Sequence, residues 1–252
     1  MQAPAWFVTG DRMKSQVFPA ALAALRSLET RDAFHESLVP EAALFHLSDS
    51  LCASMLANPA GQHSVAISLL RNCLEALTLV DLGLQRNDYR LSRLGQWNRH
   101  ERTAGDIRRD LERDVWPRYK QGLWEEPWSQ LFGNLARALH PYAHYSPELM
   151  GWQMASVRMD NAGRGLVRLG PSEYDPLKAT RITLLHTLVL WTVGKLTVLN
   201  AESHCPVSFV ETLETLRGQL GNSGLLFREG DWGVELMPHV WFKEGVDWRE
   251  KA

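Results

Sequence analysis

The stretch ITLLHTLVLWTVG, Ile182 to Gly194, most narrows what this chain can become. A helix that is apolar nearly all round has to be surrounded, by lipid or by other protein elements. The run stops at Lys195 and is shorter than the about 20 apolar residues a bilayer span needs. Its surroundings are therefore expected to be protein, and Leu177 to Asn200 reads as the long central helix of a bundle. A chain of 252 residues is long enough to enclose it. With 45% hydrophobic and 22% charged residues, the composition is that of a soluble globular protein.

Other segments carry the helical period. FPAALAALRSLE is a helix signal with Pro19 near its first turn, and a second helix is predicted after Pro40, in PEAALFHLSDSLCASML, ending before Asn58-Pro59. A third runs from about Ser64 to Gln85, where Ile67, Leu70, Leu74, Leu77 and Leu84 recur at helical spacings. The short breaks between these three suit antiparallel neighbours. WSQLFGNLARALH is a further helix, halted by Pro141. QMASVRMDNAGRGLVRLG reads as two short strands about a turn at Asp160 to Gly163. Beyond the central helix come a short helix, Val207 to Leu220, and the tail GDWGVELMPHVWFKEGVDW. The predicted fold is mainly α. A helical bundle spans 1–202 with a small β-hairpin insertion near 153–169. A C-terminal appendage, a helix and an irregular or short-stranded tail, spans 203–252.

A formal net charge of −2 makes no global electrostatic case for nucleic acid. Locally, Arg86 to Lys120 holds nine Arg and one Lys against six acids, with both signs alternating at helical spacing. The expectation is a solvated face laced with weak i,i+4 pairs, with a phosphate-tracking face as the alternative. Three widely spaced cysteines, Cys52, Cys73 and Cys205, suggest neither a disulfide framework nor a thiolate zinc site. MQAPAWFVTGDRMK lacks the long apolar core of a signal peptide. A cytoplasmic location with no membrane partner is expected. Nucleotide-cofactor loops and a serine-hydrolase elbow are absent from the sequence, so no cofactor is expected.

Two constellations carry candidate chemistry. Arg71 and Glu75 are four residues apart beside the apolar stripe of the third helix, either a brace between helices or the polar floor of a cleft. Arg137 and His140 share the last turn of a helix, where a protonated imidazole is favoured. His144 lies beyond Pro141, so helical spacing does not place it. His140 and His144 also have the i,i+4 spacing of a two-histidine metal site, but Pro141 disturbs that geometry and too few ligands follow, so no metal is expected. His63 and His204 read as hydrogen-bonded structural residues, and His186 as a satisfied core histidine. Trp124, Trp128 and Trp152, near the candidate site, have rings that can stack bases, although such rings more often build cores.

Arg137 and His144 enclose six residues, and this R-x(4–6)-H spacing, with LLRNCLEAL on one helix and ARALHP ending another, resembles the HEPN superfamily of all-helical domains over roughly Ser64 to Asn200. Arg93–His100 and Arg181–His186 satisfy the same spacing; the middle pair is preferred because it lies at a helix end. The resemblance implies a metal-independent endoribonuclease of a defence or toxin–antitoxin system. Arg137 would hold the scissile phosphate and His144 would act as base or acid. Arg71, Glu75 and His140 would support them, and two such sites would face each other across a homodimer. RNA is then the implied substrate. The alternative is a non-catalytic helical module that binds a partner protein or senses an effector.

Overall fold

In chain order the helices are α1 (Ala5–Ser27), α2 (Phe34–Ala57), α3 (His63–Gly83), α4 (Asn87–Asn98), α5 (Ala104–Asp114), α6 (Trp128–Leu139), α7 (Pro176–Ala201) and α8 (Val207–Gly221). The structure, a computed structural model, describes residues 3–28, 34–119, 122–144, 146, 149, 152–159, 165–169 and 174–223. It is a mainly helical bundle. Strands β1 (Met154–Met159) and β2 (Gly165–Leu169) pair antiparallel, with Met159 opposite Gly165 and Met154 opposite Leu169. The predicted turn at Asp160 to Gly163 and the tail beyond Ser223 lie outside the described residues.

The central helix is longer than its apolar run. Helix α7 has 26 residues, and its most apolar window has a mean hydropathy of 1.6. By length and composition alone it could cross a membrane, yet 78% of that window is buried within the protein. Threonines make this burial tolerable. Thr192 and Thr197 donate to the carbonyls of Leu188 and Val193, each at 2.8 Å, so their buried hydroxyls are satisfied within the helix.

Two prolines do not mark helix starts as the sequence predicted. Helix α1 begins at Ala5, with Pro19 inside it. Trp6, Gly10, Met13, Val17, Ala21 and Ala24 form a buried stripe at spacings of three and four, which carries the helix through the segment before Phe18. That stripe is built partly of small residues because α1 lies close against α7: a Cβ at Gly10 would come within 2.8 Å of Thr187 Cγ2. Helix α2 likewise contains Pro40. The proline ring fits because Gly83 ends α3 opposite it, where a Cβ would lie 2.3 Å from the Pro40 Cβ. In both helices tertiary packing overrides the local tendency of proline to end a helix.

Helix α3 matches its predicted span closely, and Ile67, Leu70, Leu74 and Leu77 are buried as its period implied. It packs along α2 across the short turn Asn58–Gln62 and also touches α5, α6 and α7. The charged segment folds as two helices. Thr103 caps α5 by accepting from the Asp106 N–H at 3.2 Å, while the Asp106 carboxylate accepts from the Thr103 N–H at 2.8 Å. Helix α6 ends at Leu139, and Pro141 sits in a following 3-10 turn, His140–Tyr142.

Candidate functional site

Helices α3, α5 and α6 and the turn after α6 leave an open cavity of about 560 Å³ between them. Its apolar floor includes Leu74, Trp116 and Phe132. Its charged walls come from Arg71 and Glu75 on α3, Arg108 and Glu112 on α5, Arg137 on α6 and His140 on the turn. Four of the five residues expected at a site are thus brought together. His144 is exposed and is not part of this lining.

Three guanidiniums face two carboxylates here, an excess of one positive charge before His140 is counted. Their commitments differ. Arg71 is mostly buried, with its side chain 15% exposed, and Nη2 donates to Glu75 Oε1 at 2.9 Å. Its Nε is buried without a hydrogen-bond partner. The carboxylate of Glu75 is 62% exposed, so a loosely held anion caps a firmly held cation. Arg137 is exposed and donates through Nη2 to the side-chain oxygen of buried Asn134. Arg108 makes no ion pair or hydrogen bond among the described residues, which leaves its guanidinium uncommitted beside the cavity.

The charged segment has two faces. One is the expected lattice of ion pairs. Asp110 receives Arg93 at 3.1 Å and Arg113 at 3.0 Å, and Arg113 also reaches Asp114 at 2.7 Å. The other face, Ala104, Gly105, Arg108 and Glu112, follows helical spacing along the cavity. Arg108 and Glu112 are site residues that sequence reasoning missed. Their signal was the phase of that stripe, hidden by the density of arginines around it.

A buried polar network stands behind the floor. Asp81 on α3 is 2% exposed. Its Oδ2 accepts from the Trp116 indole N–H at 2.8 Å, and its Oδ1 accepts from Gln85 at 3.0 Å and from the Tyr119 hydroxyl. Asn200 on α7 closes the network by donating to Tyr119 Oη at 2.8 Å. Burial pushes the Asp81 carboxyl up to about 6, against the lowering effect of hydrogen bonds from Tyr119, Trp116 and Gln85. Trp116 thus presents its ring to the cavity and anchors its nitrogen in the core.

The tryptophans near the candidate site in sequence lie elsewhere. Trp128 is 1% exposed and packs against Trp191 at 6.1 Å between ring centroids. Trp124 donates to the Gly221 carbonyl at 3.1 Å, and Trp152 meets Tyr142 edge-on. Trp97 instead lines a neighbouring groove of about 440 Å³ with Val39, Ala43, His46, Asn72 and Leu79. The groove shares Glu75 and Ala104 with the cavity, so the two adjoin.

The competing arginine–histidine pairs are occupied. Arg93 is bound to Asp110 and Asp114 and stacks 3.6 Å above the Tyr89 ring. His186 is 3% exposed and bonds to Ser54 at 2.7 Å. His63 fits its structural reading, bonding Asn58 at 3.0 Å and accepting the Asp175 N–H at 2.9 Å. His204 is exposed beside Ser203. Among the described residues no group of three or more His, Cys, Asp and Glu is arranged to hold a metal ion. Comparison with protein-family models, with curated proteins and with solved structures finds no match for this chain.

Proposed function

We propose that the cavity binds a phosphodiester and that the protein is a HEPN-like, metal-independent endoribonuclease acting on RNA as a cytoplasmic homodimer in a defence or toxin–antitoxin setting. The observation that carries the reading is the convergence of Arg71, Arg108, Arg137 and His140 on one open cavity. Guanidiniums pair with phosphate oxygens in planar, two-point fashion and stabilise the charge that develops on them. The adjoining groove, with Trp97, His46 and Asn72, supplies an aromatic ring and polar edges of the kind that take a flanking base. In the same architecture, 153–169 is the small hairpin insertion on bundle 1–202; of the appendage read at 203–252, helix α8 packs on α1 and α7.

In this mechanism an imidazole takes the proton of a ribose 2′-hydroxyl, the 2′-oxygen attacks phosphorus, and the bond to the 5′-oxygen breaks as that oxygen is protonated. Arg137 holds the phosphate. His144 fills the base or acid role that the R-x(4–6)-H spacing implies, while His140 is the imidazole on the cavity wall. Arg71, with Glu75, positions the phosphate from the opposite wall.

Incubation of the purified protein with RNA in EDTA tests this. Cleavage leaving a cyclic phosphate is expected, with a loss of about 100-fold or more in Arg137→Ala. His140→Ala and His144→Ala assayed side by side identify the working imidazole. No cleavage by the unaltered protein, or cleavage undiminished in both histidine variants, would overturn the reading. One observation favours a second, non-catalytic reading: Arg71 and Arg137 already have internal partners in Glu75 and Asn134, as expected of a scaffold for a partner protein or effector.

A further inference from the structure

On another side of the bundle, α1, α2 and α7 border a second, partly open cavity of about 530 Å³. This is within the size range of small-molecule sites, roughly 300–1,000 Å³. Phe7, Met55, Leu56 and Leu190 give it apolar walls, and His186 is its most deeply buried polar side chain.

The hydrogen bonds of His186 fix its tautomer. Ser54 Oγ donates its only proton to the Ala66 carbonyl at 2.6 Å, so toward His186 Nε2, 2.7 Å away, the hydroxyl can only accept. Nε2 therefore carries the ring proton, and Nδ1 keeps a lone pair. Burial, reinforced by the positive charge of Lys14, pushes the imidazole down to about 3, so the ring stays neutral and Nδ1 stays an acceptor near neutral pH. The Asn58 amide donates to the Ala179 carbonyl at 2.9 Å and to Thr183 Oγ1 at 3.1 Å. Thr183 and Thr187 donate to carbonyls of their own helix at 2.7 and 3.0 Å. These polar groups are spent on the fold. Asp11 and Lys14, also on the lining, bring one charge of each sign, so the site selects for neither.

We infer that this cavity binds a small uncharged molecule, apolar over most of its surface, that donates one O–H or N–H to Nδ1 of His186. The apolar walls supply binding through burial, and Nδ1, the ring nitrogen that His186 does not spend on Ser54, is the acceptor that a matching donor meets. The inference is independent of the cleft on α3, α5 and α6.

Phenol and benzene, nearly equal in shape, are the probes. Calorimetric titration of the full chain should show saturable phenol binding, with benzene weaker by about fivefold to tenfold, the effect of one hydrogen bond. In His186→Leu the preference for phenol should vanish, and in Met55→Trp, which narrows the cavity, both probes should lose affinity. Should either variant fail to fold, the unaltered protein still decides. Nitrogen NMR of its histidines should show phenol moving the Nδ1 resonance of His186 while benzene leaves it in place. No saturable binding, equal affinity for the two probes, or an unmoved Nδ1 resonance would overturn the inference.

Discussion

The open cleft and the polar interior behind it use the same residue types in opposite ways. In the cleft, Arg108, Glu75, Arg137 and His140 are exposed or partly so, and their charges are loosely tied or uncommitted. In the interior, Asp81 behind the cleft floor and His186 on another side of the bundle are almost entirely enclosed and have hydrogen-bond partners, and burial drives both toward the neutral form. Trp116 joins the two regions, lining one and hydrogen bonding into the other. A polar side chain near water can be exchanged at little cost to the fold, whereas one sealed in the core is part of it. On that contrast, the interior network sets the stability of the fold, and affinity for phosphate belongs to the cleft.

The largest effect should come from Asp81→Ala. The variant strands the Trp116 indole N–H and removes an acceptor from Gln85 and Tyr119, at a loss of about 2–4 kcal/mol in denaturant unfolding. A loss below about 1 kcal/mol would mean that water replaces the carboxylate and that the interior is not sealed.

The pH dependence of stability sharpens the contrast within the interior. Asp81 is raised from 3.8 to about 6 on folding, so its contribution is fully present below pH 4 and is lost as pH rises through 6. His186 is lowered from 6.5 to about 3, so its contribution is present above pH 6.5 and is lost as pH falls through 3. Between pH 4 and 6 the two slopes oppose each other. Relative to the unaltered protein, Asp81→Asn should make unfolding free energy rise with pH across that interval, and His186→Gln should make it fall, each by up to about 1.4 kcal/mol per pH unit. Urea unfolding at several pH values reads both slopes, and slopes of the same sign would contradict the assignment.

Much of this architecture is visible in the sequence where one physical signal dominates. The period of Ile67, Leu70, Leu74 and Leu77 places α3, and the unbroken apolarity around Leu188 places α7 at the centre. The starts of α1 and α2 are not visible, because Pro19 and Pro40 are strong local stop signals and the packing that overrides them is supplied by Gly10 against Thr187 and by Gly83 against Pro40. At the site, spacing identifies Arg71, Glu75, Arg137 and His140 individually. That α3 and α6 bring them to one cavity is a tertiary fact. Arg108 was hidden among neighbours of like charge, and the Asp81 network joins residues as far apart as Gln85 and Asn200.

Arg108→Ala and Arg113→Ala form a matched pair for the cleft. Both lie on α5, one facing the cavity and the other held by Asp110 and Asp114. Affinity for a short single-stranded RNA should fall about threefold to tenfold in Arg108→Ala, with a shallower salt dependence, and should hardly change in Arg113→Ala. Filter binding at several salt concentrations distinguishes them. Equal losses would mean that α5 binds by diffuse charge rather than by its cavity face.

The smallest effect, and the one that decides what Glu75 does, is that of Glu75→Gln. The carboxylate is 62% exposed, so its pair with Arg71 contributes little to stability, and a change within about 0.5 kcal/mol is expected. Glutamine keeps an oxygen for Arg71 Nη2 but removes the negative charge that an incoming phosphate would meet. If Glu75 serves as a resident anion that a ligand displaces, RNA affinity should rise about twofold to fivefold as the cleft gains one unit of net positive charge. If Glu75 instead aims Arg71 at the ligand, affinity should stay level or fall, because a neutral amide holds a guanidinium less firmly than a carboxylate does. Direct titration of the folded variant separates the two, and a fall in affinity would make Glu75 a positioning residue rather than a competitor.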